Sequence, residues 1–212
     1  MLSHMSCTVP SRIGFVLAGG KSSRMGGGPG NDKAFLEFDG QTLLDRALAL
    51  MGAVCDRVAI VGDPAKFTKY GSSDYESVVA DIFPGCGPLA GIHAALLHSS
   101  AELNLMLAVD MPFVSQELLA FLFAEAGESD AIVTVPRSGK GLQPLCAVYR
   151  RDFLPVAEQA LRAGKYKIDA TFSGVSVRVI KEGELAAAGF AERSFFNVNT
   201  PQDRLTAEGR TF

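Results

Sequence analysis

Positive charge is scarce in this sequence of 212 residues. Its 20 lysines and arginines are outnumbered by 23 aspartates and glutamates, which gives a formal net charge of -3. Such a balance provides no broad cationic surface that would hold nucleic acid or an anionic membrane by non-specific attraction. We therefore expect neither as a partner, and any anion has to be bound by a local group of residues.

Cysteines are sparse as well. The four of them form no CxxC pair and have no nearby histidine that would complete a zinc site; they are Cys7, Cys55, Cys86 and Cys146. Structural disulfides belong mainly to oxidising compartments, and nothing in this spacing indicates a disulfide framework. We therefore expect reduced thiols in a cytoplasmic protein.

Long apolar runs are also missing. No stretch approaches the roughly 20 residues that cross a bilayer, and the opening MLSHMSCTVP lacks the cationic start and apolar stretch of a signal peptide. We interpret residues 1–12 as a disordered leader. The rest has no repeats and no interior linker, and 48% of the sequence is hydrophobic, so we expect a single domain over residues 13–208.

What the sequence does contain is an alternation of short apolar runs and helical patterns. Strands buried on both faces are predicted at 13–18, 57–61, 77–80, 104–109 and 131–135. Helices are predicted at 42–51, 89–98 and 115–126. The first helix has an apolar stripe formed by Leu43, Leu44, Ala47, Leu48 and Met51. Short connections between such elements favour a doubly wound α/β fold with a mostly parallel sheet covered on both faces.

The pattern changes after about Gly139. Strands are predicted at 145–149 and 176–180, and helices at 152–163 and 201–208, the last with Pro201 in its first turn. We expect these elements to complete the same sheet, with an antiparallel strand and a lobe over the site.

A glycine-rich loop follows the first predicted strand, where residues 17–38 read LAGGKSSRMGGGPGNDKAFLEF. Glycines leave backbone N–H groups accessible to phosphate oxygens, and Lys21, Arg24 and Lys33 add positive charge. The loop matches neither GxxxxGK(S/T) nor GxGxxG, and glycine-rich turns after strands are common. Its combination with arginine and lysine nevertheless favours phosphate binding.

Two aspartates end later strands: Asp81 closes SVVAD and Asp110 closes NLMLAVD. A lone aspartate in such a place is more often a turn-former or a helix cap. Ligands of doubly wound sheets, however, bind at the carboxyl ends of the strands, and Mg2+ takes one or two carboxylates together with phosphate oxygens. The cationic loop and the two carboxylates therefore predict a Mg2+-dependent phosphate site.

Four segments resemble the molybdenum cofactor guanylyltransferases, which are nucleotidyltransferases with the signature LAGGxSxRMGxxK. The segments are LAGGKSSRMG followed by Lys33, GPLAGIHAAL at 87–96, AVDMP at 108–112 and FNVNTP at 196–201. The resemblance covers nearly the whole chain. The opening signature alone indicates a nucleotidyltransferase of this fold, and FNVNTP narrows the resemblance to the molybdenum cofactor guanylyltransferases. It implies a three-layer α/β/α sandwich and an enzyme that transfers GMP from GTP to molybdenum-carrying molybdopterin, releasing pyrophosphate.

The resemblance also assigns residue roles. The base and ribose would lie against the backbone of Leu17, Ala18, Gly19 and Gly20, which lets the nucleotide approach closely. The triphosphate would be held by Arg24 and Lys33, Mg2+ by Asp110, and another part of the nucleotide by Asp81. Because the attacking phosphate is already an anion, no Ser/His/Asp triad is needed. We interpret His93 and His98 as packing or surface residues.

Molybdopterin would be bound by Asn197, Asn199 and Lys167, with Lys165 adding charge for its phosphate. The asparagines alternate with two apolar residues in FNVNTP, so on a strand both amides would share one face and could bind a pterin edge. The alternative is that both satisfy local backbone groups, with Asn199 capping the helix that follows.

The sequence departs from the family pattern in two places. Six residues, GGPGND at 27–32, separate RMG from Lys33, where the family usually has about two, and AIVGDP lacks the asparagine that often contacts the nucleotide.

Two other enzymes remain as alternatives, a cytidylyltransferase for the same cofactor and a sugar-phosphate nucleotidyltransferase, although the segments LAGG and GPLAG favour guanine. A further alternative is a binding module that delivers nucleotide or molybdopterin without turnover, but the presence of both Asp81 and Asp110 argues against it. The resemblance further suggests transient contact with molybdenum cofactor insertion proteins or apo-molybdoenzymes.

Overall fold

The computed structural model describes residues 12–19, 32–68, 77–207 and 209. Within them the strands are β1 (Arg12–Leu17), β2 (Glu37–Phe38), β3 (Gln41–Thr42), β4 (Arg57–Val61), β5 (Ser77–Val79), β6 (Leu103–Ala108), β7 (Val133–Ser138), β8 (Gly141–Leu142), β9 (Cys146–Arg150) and β10 (Val177–Ile180). The α-helices are α1 (Leu43–Gly52), α2 (Pro88–His98), α3 (Gln116–Gly127), α4 (Leu154–Arg162), α5 (Ile168–Thr171), α6 (Glu182–Ala187) and α7 (Pro201–Ala207). The predicted leader up to residue 11 and loop residues 20–31 lie outside the described residues.

The main sheet has the strand order β10-β7-β9-β6-β1-β4-β5, with β8 paired to β7. Strands β6, β1, β4 and β5 are parallel to one another, as are β7 and β10. Strand β9 runs antiparallel to both β6 and β7, which confirms the expected antiparallel strand near the C-terminus. The carboxyl ends of β1, β4, β5 and β6 therefore meet at one edge of the sheet.

Two hydrophobic cores lie on the two faces of this sheet. The first contains the buried faces of α1 and α3 together with Leu185 of α6. The second contains the buried residues of α2 and α4 together with Ile168 of α5. The molecule is therefore a three-layer α/β/α sandwich with a mostly parallel central sheet, as predicted.

Helix α1 illustrates how local sequence determines an element. Its buried residues are the five of the predicted apolar stripe, and the hydroxyl of Thr42 accepts a hydrogen bond from the backbone N–H of Asp45. Ser115 caps α3 in the same way by accepting from Leu118 N–H. Each cap satisfies a backbone donor that has no partner inside its helix, so both helices begin where a capping residue precedes an apolar stripe.

The structure differs from the prediction mainly in short elements. The helix predicted at 152–163 begins instead as a 3-10 turn at Arg151–Phe153, and α4 follows with Pro155 in its first turn, where the missing N–H costs nothing. Helices α5 and α6 were not predicted, because four and six residues are too few for a helical period to be recognised. Among the described residues, no helix has the length and apolar character needed to cross a bilayer.

Candidate active site

The site lies where the order of the sheet reverses. Strand β1 has β4 on one side and β6 on the other, and its carboxyl end is joined to both. Ala18 N–H donates to the Val61 carbonyl at 2.9 Å, and Val109 N–H donates to the Leu17 carbonyl at 3.2 Å. Ligands of open α/β sheets bind at such a switch point, because the connecting helices leave toward opposite faces and open a crevice.

Gly19 is the last described residue of the opening signature, whereas Gly20, Lys21 and Arg24 lie outside the described residues. Leu17 and Ala18 are 8% and 7% exposed, but Gly19 is exposed at the sheet edge. A Cβ added to Gly19 would lie 3.7 Å from both Gly62 Cα and the Val61 carbonyl oxygen, which is ordinary contact. The glycine therefore leaves its backbone open toward the crevice without being required by the packing beneath it.

Lys33 is brought into the crevice despite the longer loop before it. It begins a 3-10 turn, Lys33–Phe35, whose capping residue Asp32 accepts from Ala34 N–H and forms a 3.0 Å ion pair with Lys66. Phe35 packs against the ring of Phe67 at a centroid distance of 5.7 Å. These contacts attach the turn that carries Lys33 to the segment after β4.

The ammonium of Lys33 joins two residues that are distant in the sequence. Its Nζ lies 3.3 Å from Asp110 Oδ2 and 2.5 Å from Asn199 Oδ1. The side chains of Lys33 and Asp110 are only 24% and 16% exposed, so the charges interact in a partly desolvated setting. Three of the predicted site residues, one from each end and one from the middle of the chain, therefore meet at a single point.

The FNVNTP segment runs beside Asp110 without forming a strand. Val198 N–H donates to the Asp110 carbonyl at 2.8 Å, and the Val198 side chain is buried. Asn199 is not the cap of α7, because the hydroxyl of Thr200 accepts from Asp203 N–H and the Asp203 carboxylate accepts from the N–H groups of Asn199 and Thr200. The Asn199 side chain is thereby left to contact Lys33.

Asn197 presents an unusual polar atom in the same segment. Its Oδ1 is buried and has no hydrogen-bond partner among the described residues. Buried amide oxygens are nearly always hydrogen-bonded, so this oxygen is satisfied only when a water or a ligand group reaches it.

Asp81 lies at the far side of the crevice from Asp110. Strands β4 and β1 separate β5 from β6, so the two strands that precede Asp81 and Asp110 lie about three inter-strand spacings, or about 14 Å, apart. Asp81 Oδ1 accepts from Phe83 N–H at 2.7 Å and so stabilises the turn after β5. The resemblance assigns Mg2+ to Asp110 and a nucleotide contact to Asp81, and this division stays a prediction.

Lys165 and Lys167 are both exposed. Between them Tyr166 shares a hydrogen bond with Cys86, in the turn that follows Asp81, and this bond raises the pKa of the Tyr166 hydroxyl. Ile168, next in sequence, packs into the core on the face opposite to Val198. The structure therefore brings Asn197 and Asn199 to Asp110 but does not bring Lys167 to the asparagines.

A single carboxylate fits the requirements of Mg2+ at this site. No group of three or more His, Cys, Asp or Glu residues capable of holding a metal ion occurs within the described ranges. Mg2+ commonly uses one or two carboxylates and completes its octahedron with substrate phosphate oxygens and water. The partly exposed carboxylate of Asp110 has oxygen atoms that suit Mg2+. They become available to the ion when Lys33 turns away from Asp110 toward a phosphate.

A group of aromatic rings covered by cations borders the site, and the sequence analysis did not identify it. The ring of Phe113 packs edge to face against Phe38 at 5.6 Å and against Phe196 at 6.1 Å. The cations lie over these rings: Arg46 over Phe38 at 5.7 Å, Arg193 over Phe113 at 4.2 Å and Lys140 over Phe196 at 5.3 Å. We call these six residues the cation-covered cluster. The sequence held one signal for this group, because Phe113 directly follows the motif AVDMP and Phe196 is the first residue of FNVNTP.

The fold and the site define a nucleotidyltransferase. A crevice at the switch point, an open glycine backbone, and a lysine paired with a carboxylate are the features such an enzyme requires to bind a nucleoside triphosphate. The family model for the MobA-like NTP transferase domain matches residues 14–175, and the chain belongs to this family.

Relatives of similar length support this assignment. The chain is 38% identical over 197 residues to a molybdenum cofactor guanylyltransferase from Desulfosudis oleivorans, covering 92% of this chain and 93% of the relative. It is also 38% identical over 194 residues to a probable molybdenum cofactor guanylyltransferase from Pelotomaculum thermopropionicum, covering 92% and 90%. The crystal structure of molybdopterin-guanine dinucleotide biosynthesis protein A from Archaeoglobus fulgidus is similar with a TM-score of 0.78 and 29% identity, covering 93% of this chain and 97% of that one.

Proposed function

We propose that this nucleotidyltransferase transfers GMP from GTP to molybdenum-carrying molybdopterin, forming molybdopterin guanine dinucleotide and pyrophosphate in a Mg2+-dependent reaction. The observation that carries the proposal is the meeting of Lys33, Asp110 and Asn199 at the switch point. The names of the relatives that are 38% identical over nine-tenths of the chain support the choice of substrates.

The nucleotide occupies the crevice from β5 to β6. The base and ribose lie against the backbone of Leu17, Ala18, Gly19 and Gly20, and Asp81 contacts the end of the nucleotide that is remote from Asp110. Lys33 turns from Asp110 to the phosphates, and Arg24 adds a second cation. The Asp110 carboxylate holds Mg2+, which when bound neutralises charge on the phosphate oxygens.

The second substrate approaches from the side of Asp110. Asn197 supplies an unpartnered amide oxygen there, and Asn199 lies beside Lys33. A phosphate oxygen of molybdopterin attacks the α-phosphorus of GTP, the bond from that phosphorus to the bridging oxygen of the β-phosphate breaks, and pyrophosphate leaves. Lys167 completes the proposed molybdopterin set, but the structure supports it less than the asparagines, because the neighbouring Tyr166 contacts Cys86 in the turn after Asp81.

No residue has to form a covalent intermediate in this reaction. The attacking group is an anion already, so the barrier lies in bringing two anions together and in stabilising charge on the leaving pyrophosphate. We also propose that the enzyme acts in the cytoplasm, where it passes its product to molybdenum cofactor insertion proteins or apo-molybdoenzymes.

The test is pyrophosphate release from GTP, CTP and ATP, compared side by side with molybdopterin and Mg2+. We expect release from GTP at least about tenfold faster than from CTP, because base-edge hydrogen bonds discriminate by 1 to 3 kcal/mol or more. A preference for CTP would favour the cytidylyltransferase. Nucleotide or molybdopterin binding without any pyrophosphate would favour a delivery module.

A further inference from the structure

Asp203 of α7 binds more of the backbone than a helix cap requires. It forms a capping box with Thr200, whose hydroxyl accepts from Asp203 N–H at 3.1 Å and whose N–H donates to Asp203 Oδ2 at 2.8 Å. The same Oδ2 also accepts from Asn199 N–H at 2.9 Å. The capping box accounts for the two bonds with Thr200, but the bond to Asn199, which lies outside the helix, is an addition to it.

Three consecutive backbone donors of the FNVNTP segment are thereby fixed. Val198 N–H donates to the Asp110 carbonyl at 2.8 Å. The N–H groups of Asn199 and Thr200 both donate to Asp203. The backbone around Asn199 is therefore held by the segment after β6 on one side and by α7 on the other. Because the rotamers open to a side chain depend on its backbone, the direction of the Asn199 amide is restricted as well.

The Asn199 amide uses this fixed position to hold Lys33. Its Oδ1 accepts from Lys33 Nζ at 2.5 Å, and Asp110 Oδ2 lies 3.3 Å from the same Nζ. An ammonium on a flexible stem has three donors, and a neutral acceptor restricts it without neutralising its charge. Lys33 bound to Asn199 therefore keeps its positive charge for an anion.

We propose that Asp203 is a positioning residue of the nucleotide site, which acts through Asn199 on Lys33. With Asn199 fixed by Asp203, Lys33 retains one acceptor when the Asp110 carboxylate holds Mg2+, and its ammonium stays directed at the triphosphate. This inference rests on the part of the proposed function that assigns GTP to the crevice, but not on the identity of the second substrate. Asn199 then serves the nucleotide through Lys33 rather than molybdopterin.

The test compares Asp203→Ala with Asp203→Asn by equilibrium binding of GTP in the presence of Mg2+ and without a second substrate. Asp203→Ala removes the acceptor of two backbone N–H groups, and we expect Kd for GTP to rise about fivefold. Both bonds end on one oxygen, and an amide oxygen also has two lone pairs, so Asp203→Asn should stay within about twofold of the unaltered protein.

Turnover gives a second readout of the same variants. In pyrophosphate release with molybdopterin, KM for GTP should rise about fivefold in Asp203→Ala, while kcat and KM for molybdopterin stay within about twofold. A loss confined to GTP is not expected of a residue that only stabilises the fold, since partial unfolding would affect both substrates.

Thr200→Val is the matched control for the stability of α7. It removes the hydroxyl that accepts from Asp203 N–H but keeps the bond from Asn199 N–H to the Asp203 carboxylate. Loss of this cap should lower Tm about as much as Asp203→Ala does, with Kd for GTP within about twofold of that of the unaltered protein.

A double-mutant cycle tests the route through Asn199. Asn199→Ala alone should weaken GTP binding at least as much as Asp203→Ala. Because Asp203 acts through Asn199, adding Asp203→Ala to Asn199→Ala should weaken GTP binding no further, whereas additive effects would show that Asp203 acts by another route.

Two other results would overturn the inference. An unchanged Kd for GTP in Asp203→Ala would do so, and a raised KM for molybdopterin alone would then assign Asn199 to the second substrate. An equal loss of GTP affinity in Thr200→Val would show that the stability of α7 determines binding. Absence of GTP binding by the unaltered protein would refute both the proposed function and this inference. If GTP binds and the variants behave as expected, but molybdopterin elicits no pyrophosphate release, the proposed transfer is refuted and the role of Asp203 is supported.

Discussion

Lys33 lies between two oxygens to which we assign different roles once the substrates are bound. The Asp110 carboxylate at 3.3 Å and the Asn199 amide oxygen at 2.5 Å both accept from its ammonium. If Asp110 becomes a ligand of Mg2+, Asn199 is the acceptor that remains for Lys33. The position of the Lys33 ammonium therefore depends on whether the Asp110 carboxylate is available to accept its hydrogen bond.

The charge of Asp110 gives the first prediction. Asp110→Asn keeps the size of the side chain but removes the negative charge that holds Mg2+, so turnover should fall at least about 100-fold while the thermal unfolding curve stays nearly the same. Asp130→Asn, a change of an exposed acid beyond the opposite end of β7, serves as the control and should be neutral. Near-normal turnover of Asp110→Asn at saturating Mg2+ would contradict the metal assignment.

Gly19 gives a prediction about base selectivity. An added methyl group would make only ordinary contacts with Gly62 and Val61, so Gly19→Ala should fold normally. The methyl would instead face the base, and we expect discrimination between GTP and CTP to shrink by about 1 to 3 kcal/mol. The measurement is the ratio of kcat/KM for the two nucleotides, and an unchanged ratio would show that guanine is recognised elsewhere.

Asn197 gives a prediction that distinguishes binding of the proposed acceptor from binding of the nucleotide. Because its Oδ1 has no partner among the described residues, Asn197→Ala removes no internal hydrogen bond of that oxygen, and stability should change little. We expect KM for molybdopterin to rise about tenfold and KM for GTP to stay within about twofold. Loss of thermal stability with normal affinity for both substrates would instead establish a structural role.

The segment after β4 acts as a support for the 3-10 turn that carries Lys33. Phe67 is fully buried and packs against Phe35 of that turn, while Asp32 is paired with Lys66. Gly62 leaves room for the Phe67 ring, since a Cβ there would lie only 2.6 Å from Phe67 Cε2. The position of Lys33 therefore depends on a contact between two loops.

For the segment after β4 we predict that Gly62→Ala both destabilises the protein and weakens GTP binding. Displacing a buried ring typically costs about 1 to 3 kcal/mol, and the Phe35 contact would move with it. Gly52→Ala is the matched control, because nothing lies within 4 Å of a Cβ at Gly52 at the end of α1. The measurements are chemical denaturation and KM for GTP. A stable Gly62→Ala variant with normal KM would show that Phe67 adapts.

A buried histidine in the core predicts a pH dependence of stability for the whole molecule. His93 on α2 is 2% exposed, its Nδ1 has no partner in the described part of the chain, and the ring of Phe83 packs against it at 5.1 Å. Burial lowers the pKa of His93 below 6.5, and Arg162 lowers it further, whereas the charges of Glu158 and Asp81 raise it. The folded protein therefore resists a proton that the unfolded chain accepts.

This difference predicts that stability falls as pH drops below about 6.5, where the unfolded chain binds a proton and the folded His93 does not. Above that pH neither the folded nor the unfolded chain binds the proton, so His93 no longer makes the free energy of unfolding depend on pH. His93→Gln should have a flatter dependence of Tm on pH between 8 and 5, even if its Tm is lower throughout. His98→Gln, on the same helix but exposed, should keep the steep dependence. Parallel curves for His93→Gln and the unaltered protein would falsify the assignment.

Much of the fold could be predicted from local patterns, because each such element carries its own signal. The apolar stripe and the Thr42 cap determine α1, and the continuous apolar run of β4 was predicted with its observed ends. The placement of Gly19 and Asp110 just after the carboxyl ends of β1 and β6 could be predicted from the apolar runs that precede them, while their roles in binding a ligand stay predictions. The free thiols of Cys55, Cys86 and Cys146 agree with the spacing analysis.

The sequence by itself therefore determined the class of fold, the family and the chemical types of the residues at the site, since these depend on neighbouring residues and short motifs. Only the tertiary structure decided which of those residues meet. The strand order β5-β4-β1-β6 separates Asp81 from Asp110 and brings Lys33 to Asn199, 166 positions apart. It also placed Lys167 away from the asparagines and brought Arg193 and Lys140 over rings that adjoin Asp110 and Asn197. Contacts between distant segments depend on the order in which strands pair, and no local pattern encodes that order.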